Sequence, residues 1–431
     1  MDRTSPTDVA APRPRRTRLF GILGVLALGG VLFATLGYPA LIRSLGGAWE
    51  PGRADWRAEL SPEAAALLDA SLDGLDPARV VDFHVHVAGI GTGETGCEVH
   101  PHMRSWATPL ARGRFEVFLS GAGVGDLERA DQEYAGRLDE LFATMPLASR
   151  GALLAFDRAH DEAGEVDPEH TEFHVPNEYV FELADASGGR FVPVMSVHPY
   201  RLDALEALER WAARGGRLIK WLPNSMGMDP ASPKCDAYYA KMVELDLTLL
   251  SHTGEEQAVD ARERQKLGNP LRLRRALDAG VRVIAAHCAS LGEDEDLDLP
   301  EGARERVPSL DLFLRMMDEE RYEGLLFGEI SATTQFNRLG GALQAIVARR
   351  DLHPRLVFAS DYPLPALNVT VHLGPMVDAG LLAEEDVEPL RELYRAHPLA
   401  FDLALKRRLL GADGAPAFDV EVFHAPDAFG L

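Results

Sequence analysis

VVDFHVH, residues 80–86, decides how this chain is read. β-Branched and aromatic residues favour an extended strand, and a strand turns alternate side chains to opposite faces, so His84 and His86 share one face. Two imidazoles on one face at the end of an apolar run form a ready chelate. Three more runs end in metal-type side chains: LTLLSHTG (247–254) delivers His252, VRVIAAHCAS (281–290) delivers His287, and LVFASDYP (356–363) delivers Asp361. Groups so far apart in sequence meet naturally in a (β/α)₈ barrel, which gathers side chains from several strand C-termini at one mouth.

The count of strands agrees. Strand-like runs occur at 80–86, 152–157, 191–198, 217–222, 247–252, 281–287, 325–331 and 356–361, with helical patterns such as 202–213 and 270–279 between them. That alternation belongs to a parallel α/β sheet rather than a sandwich. On this count His84 and His86 lie on strand one, Lys220 on strand four, His252 on five, His287 on six and Asp361 on eight. A long excursion, 87–150, follows strand one, opening with AGIGTGETG and containing a predicted helix over 126–142. A mouth loop of that size shapes a substrate pocket. The insertion 292–306 carries the acidic run EDEDLDLPE and reads as a solvated loop, with a lid as the alternative.

The N-terminus reads differently. Residues 1–18 are basic, and residues 19–42, LFGILGVLALGGVLFATLGYPALI, carry no charge. As a helix this run exceeds the ~30 Å hydrocarbon thickness, so a single transmembrane helix is expected. Arg13, Arg15, Arg16 and Arg18 crowd its N-terminal flank, which holds that end in the cytoplasm and puts the rest of the chain outside it. Secretion after cleavage of a signal is the alternative, although the run is longer than a signal core and no A-x-A site follows. Residues 43–79 form a linker with one amphipathic helix starting at Ser61-Pro62-Glu63, expected to seat the barrel's closed end. The barrel is assigned to 80–410, and the tail 411–431 shows little periodicity.

At 431 residues, 46% of them apolar, the chain can bury a large core. Its 44 basic and 67 acidic residues give a net charge of −23, which repels a phosphate backbone and excludes nucleic acid as a partner. Cys97, Cys235 and Cys288 have no CxxC spacing and read as small buried hydrophobes.

With these residues in place, the chain resembles the amidohydrolase superfamily, and most closely its amidohydrolase-related branch. Beyond the ligand-type residues, NEYVFELADASGGRFVPVMSVHP (177–199), RLIKWLPN (217–224), LLSHTG, FASDYP and HPLAFDLALKRR (397–408) are similar to that branch's recurring segments. The resemblance implies a barrel with one or two divalent metals and hydrolysis of an amide, ester, lactone or phosphoester bond of a small molecule. It assigns His84, His86 and Asp361 to the first ion. The branch also includes decarboxylases and hydratases, so membership does not name a substrate.

Elementary chemistry points the same way. Imidazoles plus a carboxylate suit Zn²⁺ and neighbouring first-row metals, and an open site lowers the pKa of a bound water from ~15.7 to ~7. Asp361 is placed to take its proton and pass it on. Lys220 leaves two states open. Desolvation can free its amine to add CO₂, and the resemblance then implies a carboxylated Lys220 bridging two ions, the second held by His252 and His287. Unmodified, its ammonium binds a substrate carboxylate or salt-bridges a wall residue at a one-ion site, for which the resemblance implies His252 as the remaining ligand or a near neighbour and His287 as a general acid/base or substrate orienter.

Other residues carry weaker signals. His198 reads as structural, Glu329 as a substrate contact or a partner for a ligand imidazole, Asp157-Arg158 as a local ion pair, and His100, His102 and Arg104 as mouth-loop groups. The leading expectation is a membrane-anchored, metal-dependent hydrolase. A metal-dependent non-oxidative decarboxylase on the same barrel is the first alternative, and a catalytically silent, membrane-anchored binding protein the second.

Overall fold

Eight short parallel strands form one sheet in sequence order. They are β1 (Val81–His86), β2 (Arg150–Leu154), β3 (Phe191–Met195), β4 (Leu218–Trp221), β5 (Thr248–Ser251), β6 (Arg282–Ala285), β7 (Leu326–Glu329) and β8 (Leu356–Val357). The computed structural model describes residues 36–47, 52, 54–259, 261 and 263–431. The sheet's edges meet through a Val85–Tyr362 bridge, a Phe83 N–H bond to the Phe358 carbonyl (3.1 Å) and an Asp361 N–H bond to the His84 carbonyl (2.9 Å). The result is the nearly closed α/β barrel that the strand count implied. β1 and β4 carry His84, His86 and Lys220 within the strand, whereas β5, β6 and β8 stop one to four residues before His252, His287 and Asp361, where the chain leaves the ladder at the mouth.

One irregularity aims the site. Phe83 belongs to the barrel's inner cluster with Leu154, Leu218, Leu250, Ile284 and Phe327. Strict alternation would then turn His84 outward, yet its ring reaches Lys220 and Glu329 inside the barrel. The β1–β2 register shifts between Asp82 and Val85, and this bulge turns the imidazoles inward. Asp82 braces the kink by accepting N–H bonds from His84 (3.1 Å) and Ser360 (2.8 Å).

Among the described residues four α-helices precede β2: α1 (Tyr38–Leu45), α2 (Pro62–Leu72), α3 (Pro109–Gly121) and α4 (Ala130–Thr144). The Ser61 hydroxyl caps α2 by accepting from the Ala64 N–H, with Pro62 in the first turn, as its sequence implied. α2 packs on the helices Val387–Ala396 and Pro398–Arg408. The closed end is plugged by the C-terminal tail, whose Ala425 N–H bonds to the Arg79 carbonyl just ahead of β1 and whose Phe429 ring meets Phe83 (5.4 Å) and Phe327 (4.9 Å). The excursion after β1 holds two long helices, α3 and α4, where one was expected, and the acidic insertion folds into a hairpin, Glu293–Glu295 against Arg306–Pro308. Asp294 and Asp296 in that hairpin are buried, bonded to Ser309 and Arg315, so this stretch is not a wholly solvated loop.

Most of the expected membrane span, residues 19–35, lies outside the described residues. Among the described residues no helix is long and apolar enough to cross a membrane. The last part of that span is the start of α1, which packs on α3.

Phe429 is 2% exposed, so Phe429→Ala is expected to cost about 3–5 kcal/mol through lost transfer energy and a cavity at the barrel's floor. Denaturant unfolding measures it. A loss below ~1 kcal/mol would show that the tail does not seal the barrel.

Candidate metal centre

His84, His86, Lys220, His252, His287 and Asp361 all line one cavity at the C-terminal mouth of the barrel. The His84 and His86 Nε2 atoms are 3.2 Å apart, and Asp361 Oδ1 lies 3.5 Å from the first and 3.3 Å from the second. Ligands ~2.1 Å from a tetrahedral ion lie ~3.4 Å from one another, so these three atoms have the spacing of a ligand shell. Two unprotonated ring nitrogens so close repel each other unless a cation lies between them. The donor set therefore fits a divalent metal.

Glu329 orients this shell. Its Oε1 accepts from His84 Nδ1 (2.9 Å), the His287 N–H (2.9 Å) and the Ser331 hydroxyl (2.8 Å), and its Oε2 accepts the Ser331 N–H (2.6 Å). With Nδ1 donating, His84 has its Nε2 lone pair free for the ion. His84, His287 and Glu329 also cluster as a second ligand-type group, but with both Glu329 oxygens engaged in N–H and O–H bonds it is a brace rather than a second ion site. His287 Nδ1 lies 2.7 Å from Ser331 Oγ, which leaves its Nε2 for the cavity.

Burial sets the protonation. It lowers His84, holds His252 well below the ordinary imidazole range and takes His287 down to about 3, so the imidazoles stay neutral as ligands must. Burial pushes Asp361 and Glu329 up, but the surrounding histidines outweigh it, leaving Asp361 well below the carboxylate range and Glu329 at about 2. Lys220 Nζ is 3.1 Å from His84 Nε2. Desolvation brings it down to about 8, with Asp361, Glu329 and Glu256 opposing a larger drop.

His287 and Asp361 both leave their strands with positive φ, 58° and 62°. Such conformations are disfavoured for non-glycine residues and cluster where a side chain is held for function.

Two residues of the site had escaped the sequence reading. Glu256 lines the cavity, with Oε2 3.4 Å from His252 Nδ1 and Oε1 accepting the Val259 N–H (3.1 Å). Its place four residues beyond His252 was the available signal. Arg338 is buried, donates to Ser290 (2.9 Å) and faces Asp361, Glu256 and Glu329, with its Nε lacking a partner. It comes from the loop after β7, and nothing local marks it. His198 is structural, with Nε2 3.1 Å from the Met226 carbonyl. Asp157 and Arg158 do not pair with each other: Asp157 binds Arg201 (2.9 Å) and Arg158 binds Glu98 (2.7 Å). His102 pairs with Glu172 (2.8 Å), and neither His100, His102 nor Arg104 lines the cavity.

A family model described as amidohydrolase matches residues 81–411. The chain belongs to the amidohydrolase family. No curated protein matches it. Among solved structures, an uncharacterized TIM-barrel protein from Bordetella bronchiseptica is similar at 16% identity, TM-score 0.45, over 74% of this chain and 99% of that one. 5-Carboxyvanillate decarboxylase from Sphingomonas paucimobilis is similar at 11% identity, TM-score 0.43, over 81% and 97%. The 5-carboxyvanillate decarboxylase of Novosphingobium aromaticivorans, solved with manganese and a nitrobenzoic acid, is similar at 13% identity, TM-score 0.42, over 82% and 96%. The reactions and ligands named there are those proteins' own.

Glu329→Gln is expected to weaken metal binding ~10–100-fold by removing the charge that holds His84, while Asp361→Ala abolishes stoichiometric binding. Equilibrium dialysis against Zn²⁺ or Mn²⁺ with elemental analysis reads both. Unchanged affinity in Asp361→Ala would remove the His84/His86/Asp361 assignment.

Proposed function

We propose that this amidohydrolase-family member is a metal-dependent, non-oxidative decarboxylase of a small, largely apolar carboxylic acid. The observation that carries the reading is the division of the cavity. Its walls are apolar, with Val99, Met103, Phe115, Phe118, Phe156 and Phe173 among them, whereas its charged groups sit together on the floor. Such a cavity suits a molecule with one charged end and a flat apolar body.

The floor favours an anion. His84, His86 and Asp361 would hold a divalent ion, which would supply Lewis-acid chemistry beside them. Lys220 adds a cation beside it and Arg338 another behind it, against the ionised Asp361 and Glu329, and burial pushes Glu256 up. The apolar walls exclude water and disfavour concentrated charge. A carboxylate disperses its charge as the bond to carbon breaks, so this environment opposes the ground state more than the transition state. CO₂ leaves, the electron pair stays on carbon, and a proton replaces the lost group. The Lys220 ammonium and Glu256, whose carboxyl burial pushes up, both line the cavity and are placed to deliver that proton. Hydrolysis would ask more of the walls, since a departing alcohol or amine needs polar partners there.

Two observations favour that second reading, in which a bond of amide, ester, lactone or phosphoester type would be hydrolysed at a two-ion centre. His252 Nε2 is buried without a partner, and Lys220, at about 8, would as the neutral amine add CO₂ with loss of a proton to give a carbamate that could serve as a ligand. We further place the barrel outside the cytoplasm, a reading supported by the four arginines ahead of the uncharged stretch 19–35.

The test is elemental analysis of the metal-loaded chain combined with a screen of aromatic and other apolar carboxylic acids for CO₂ release. The expected result is about one ion per chain, CO₂ in step with product, and a loss of ~30-fold or more in kcat/KM for Lys220→Ala, the scale of removing one partner from a buried charge contact. Two ions per chain, turnover of a lactone or ester, and no CO₂ from any acid would establish the hydrolase instead.

A further inference from the structure

The mouth of the barrel is ringed by contacts that begin and end at α1. The Tyr38 ring of α1 lies tilted against Trp106, with ring centroids 5.1 Å apart. Beyond Trp106, α3 carries Arg114, which donates to the Gln257 carbonyl (3.2 Å), and Gln257 Oε1 accepts from Asn337 (3.2 Å). The neighbouring Phe336 stacks on His372 at 5.5 Å and bonds through its N–H to the Thr370 carbonyl (2.9 Å). Asn368 then closes the ring, its N–H bonding to the Gly46 carbonyl (2.6 Å) and its side chain to the Ser44 carbonyl (3.1 Å), at the end of α1. The ring encloses the cavity, since Phe115 and Leu119 of α3, Val259 beside Gln257 and Leu364 ahead of Asn368 all line it.

This rim is unusually apolar for a surface. Leu36 (68% exposed), Leu41 (44%), Trp106 (58%), Leu110 (90%) and Phe336 (54%) all belong to it, half of the large exposed hydrophobics among the described residues. Clustered exposure of that kind marks an interaction surface, whereas single exposed side chains do not. Arg43 and Arg104 are exposed on the same rim in a chain of net charge −23. The chain ahead of Leu36 identifies what covers it. Residues 19–35 carry no charge, and the described structure resumes from them on this rim rather than at the closed end.

We propose that the barrel's mouth faces a lipid bilayer, with Leu36, Leu41, Trp106, Leu110 and Phe336 seated in its interfacial layer, and that the substrate moves between the bilayer and the apolar cavity. An apolar face at the interface sinks ~5–10 Å into the headgroup and acyl boundary, and arginines beside it meet the phosphates. The site then opens toward the phase in which an apolar acid with one charged end concentrates. This goes beyond the decarboxylase reading and does not require it.

The experiment uses the full chain in phosphatidylcholine vesicles, with an environment-sensitive fluorophore on Leu110→Cys and, separately, on Val243→Cys. Val243 is 46% exposed and lies in the last turn of the helix Asp236–Glu244, which leads into β5 at the opposite end of the barrel. Cys97, Cys235 and Cys288 are buried. Adding lipid that carries a nitroxide on its acyl chain is expected to quench the Leu110 probe several-fold and leave the Val243 probe unchanged. Equal quenching at both positions, quenching at neither, or failure of the chain to sediment with vesicles would each overturn the proposal. The readout is independent of turnover, so its failure is distinct from a failure to find CO₂ release.

Discussion

A single buried carboxylate organises this barrel. Glu329 gathers His84 Nδ1, the His287 N–H and Ser331, so it joins β1, the turn after β6 and β7 at one point. An unpaired carboxylate there would cost several kcal/mol, and the cost disappears only when all three partners are in register. The brace therefore requires the same arrangement that presents His84 Nε2 to His86 and Asp361. Structure and ligand geometry are one constraint, and the left-handed turns at His287 and Asp361 are held within it.

Above that floor the chemistry changes abruptly. Charged side chains converge at the strand ends, while the excursion after β1 covers them with the aromatic and aliphatic side chains of α3 and its neighbours. An ion and a carboxylate interact far more strongly under such a cover than in open water, because the local dielectric is low. Apolar side chains continue outward from Phe115 and Leu119 in the cavity to Trp106 and Leu110 on the rim. The apolar character of the cavity thus extends onto the rim beside α1.

Much of the barrel could be read from residues alone, and the misses share a cause. Strands β1 to β8 announce themselves as apolar runs because each is buried on both faces, and a period of two needs no knowledge of neighbours. The metal-type side chains were visible because each ends such a run. α3 was missed because its apolar residues, Phe115 and Leu119, face the cavity cover rather than a regular core stripe. The plug at the closed end was missed because Phe429 lies in a tail without periodicity, and only the barrel interior gives its ring a partner.

The amino-acid sequence by itself determined the barrel, its strand order and the five ligand-type residues at strand ends, since local periodicity and residue chemistry suffice for these. Tertiary structure decided the rest. The bulge between Asp82 and Val85 turns His84 inward against the strand's own alternation, because the backbone must satisfy Asp82 and the returning β8 at once. Glu256 and Arg338 enter the site from loops whose paths depend on long-range contacts. The docking of α1 at the mouth, rather than at the closed end, comes from packing between segments more than sixty residues apart, and no local pattern encodes such a contact.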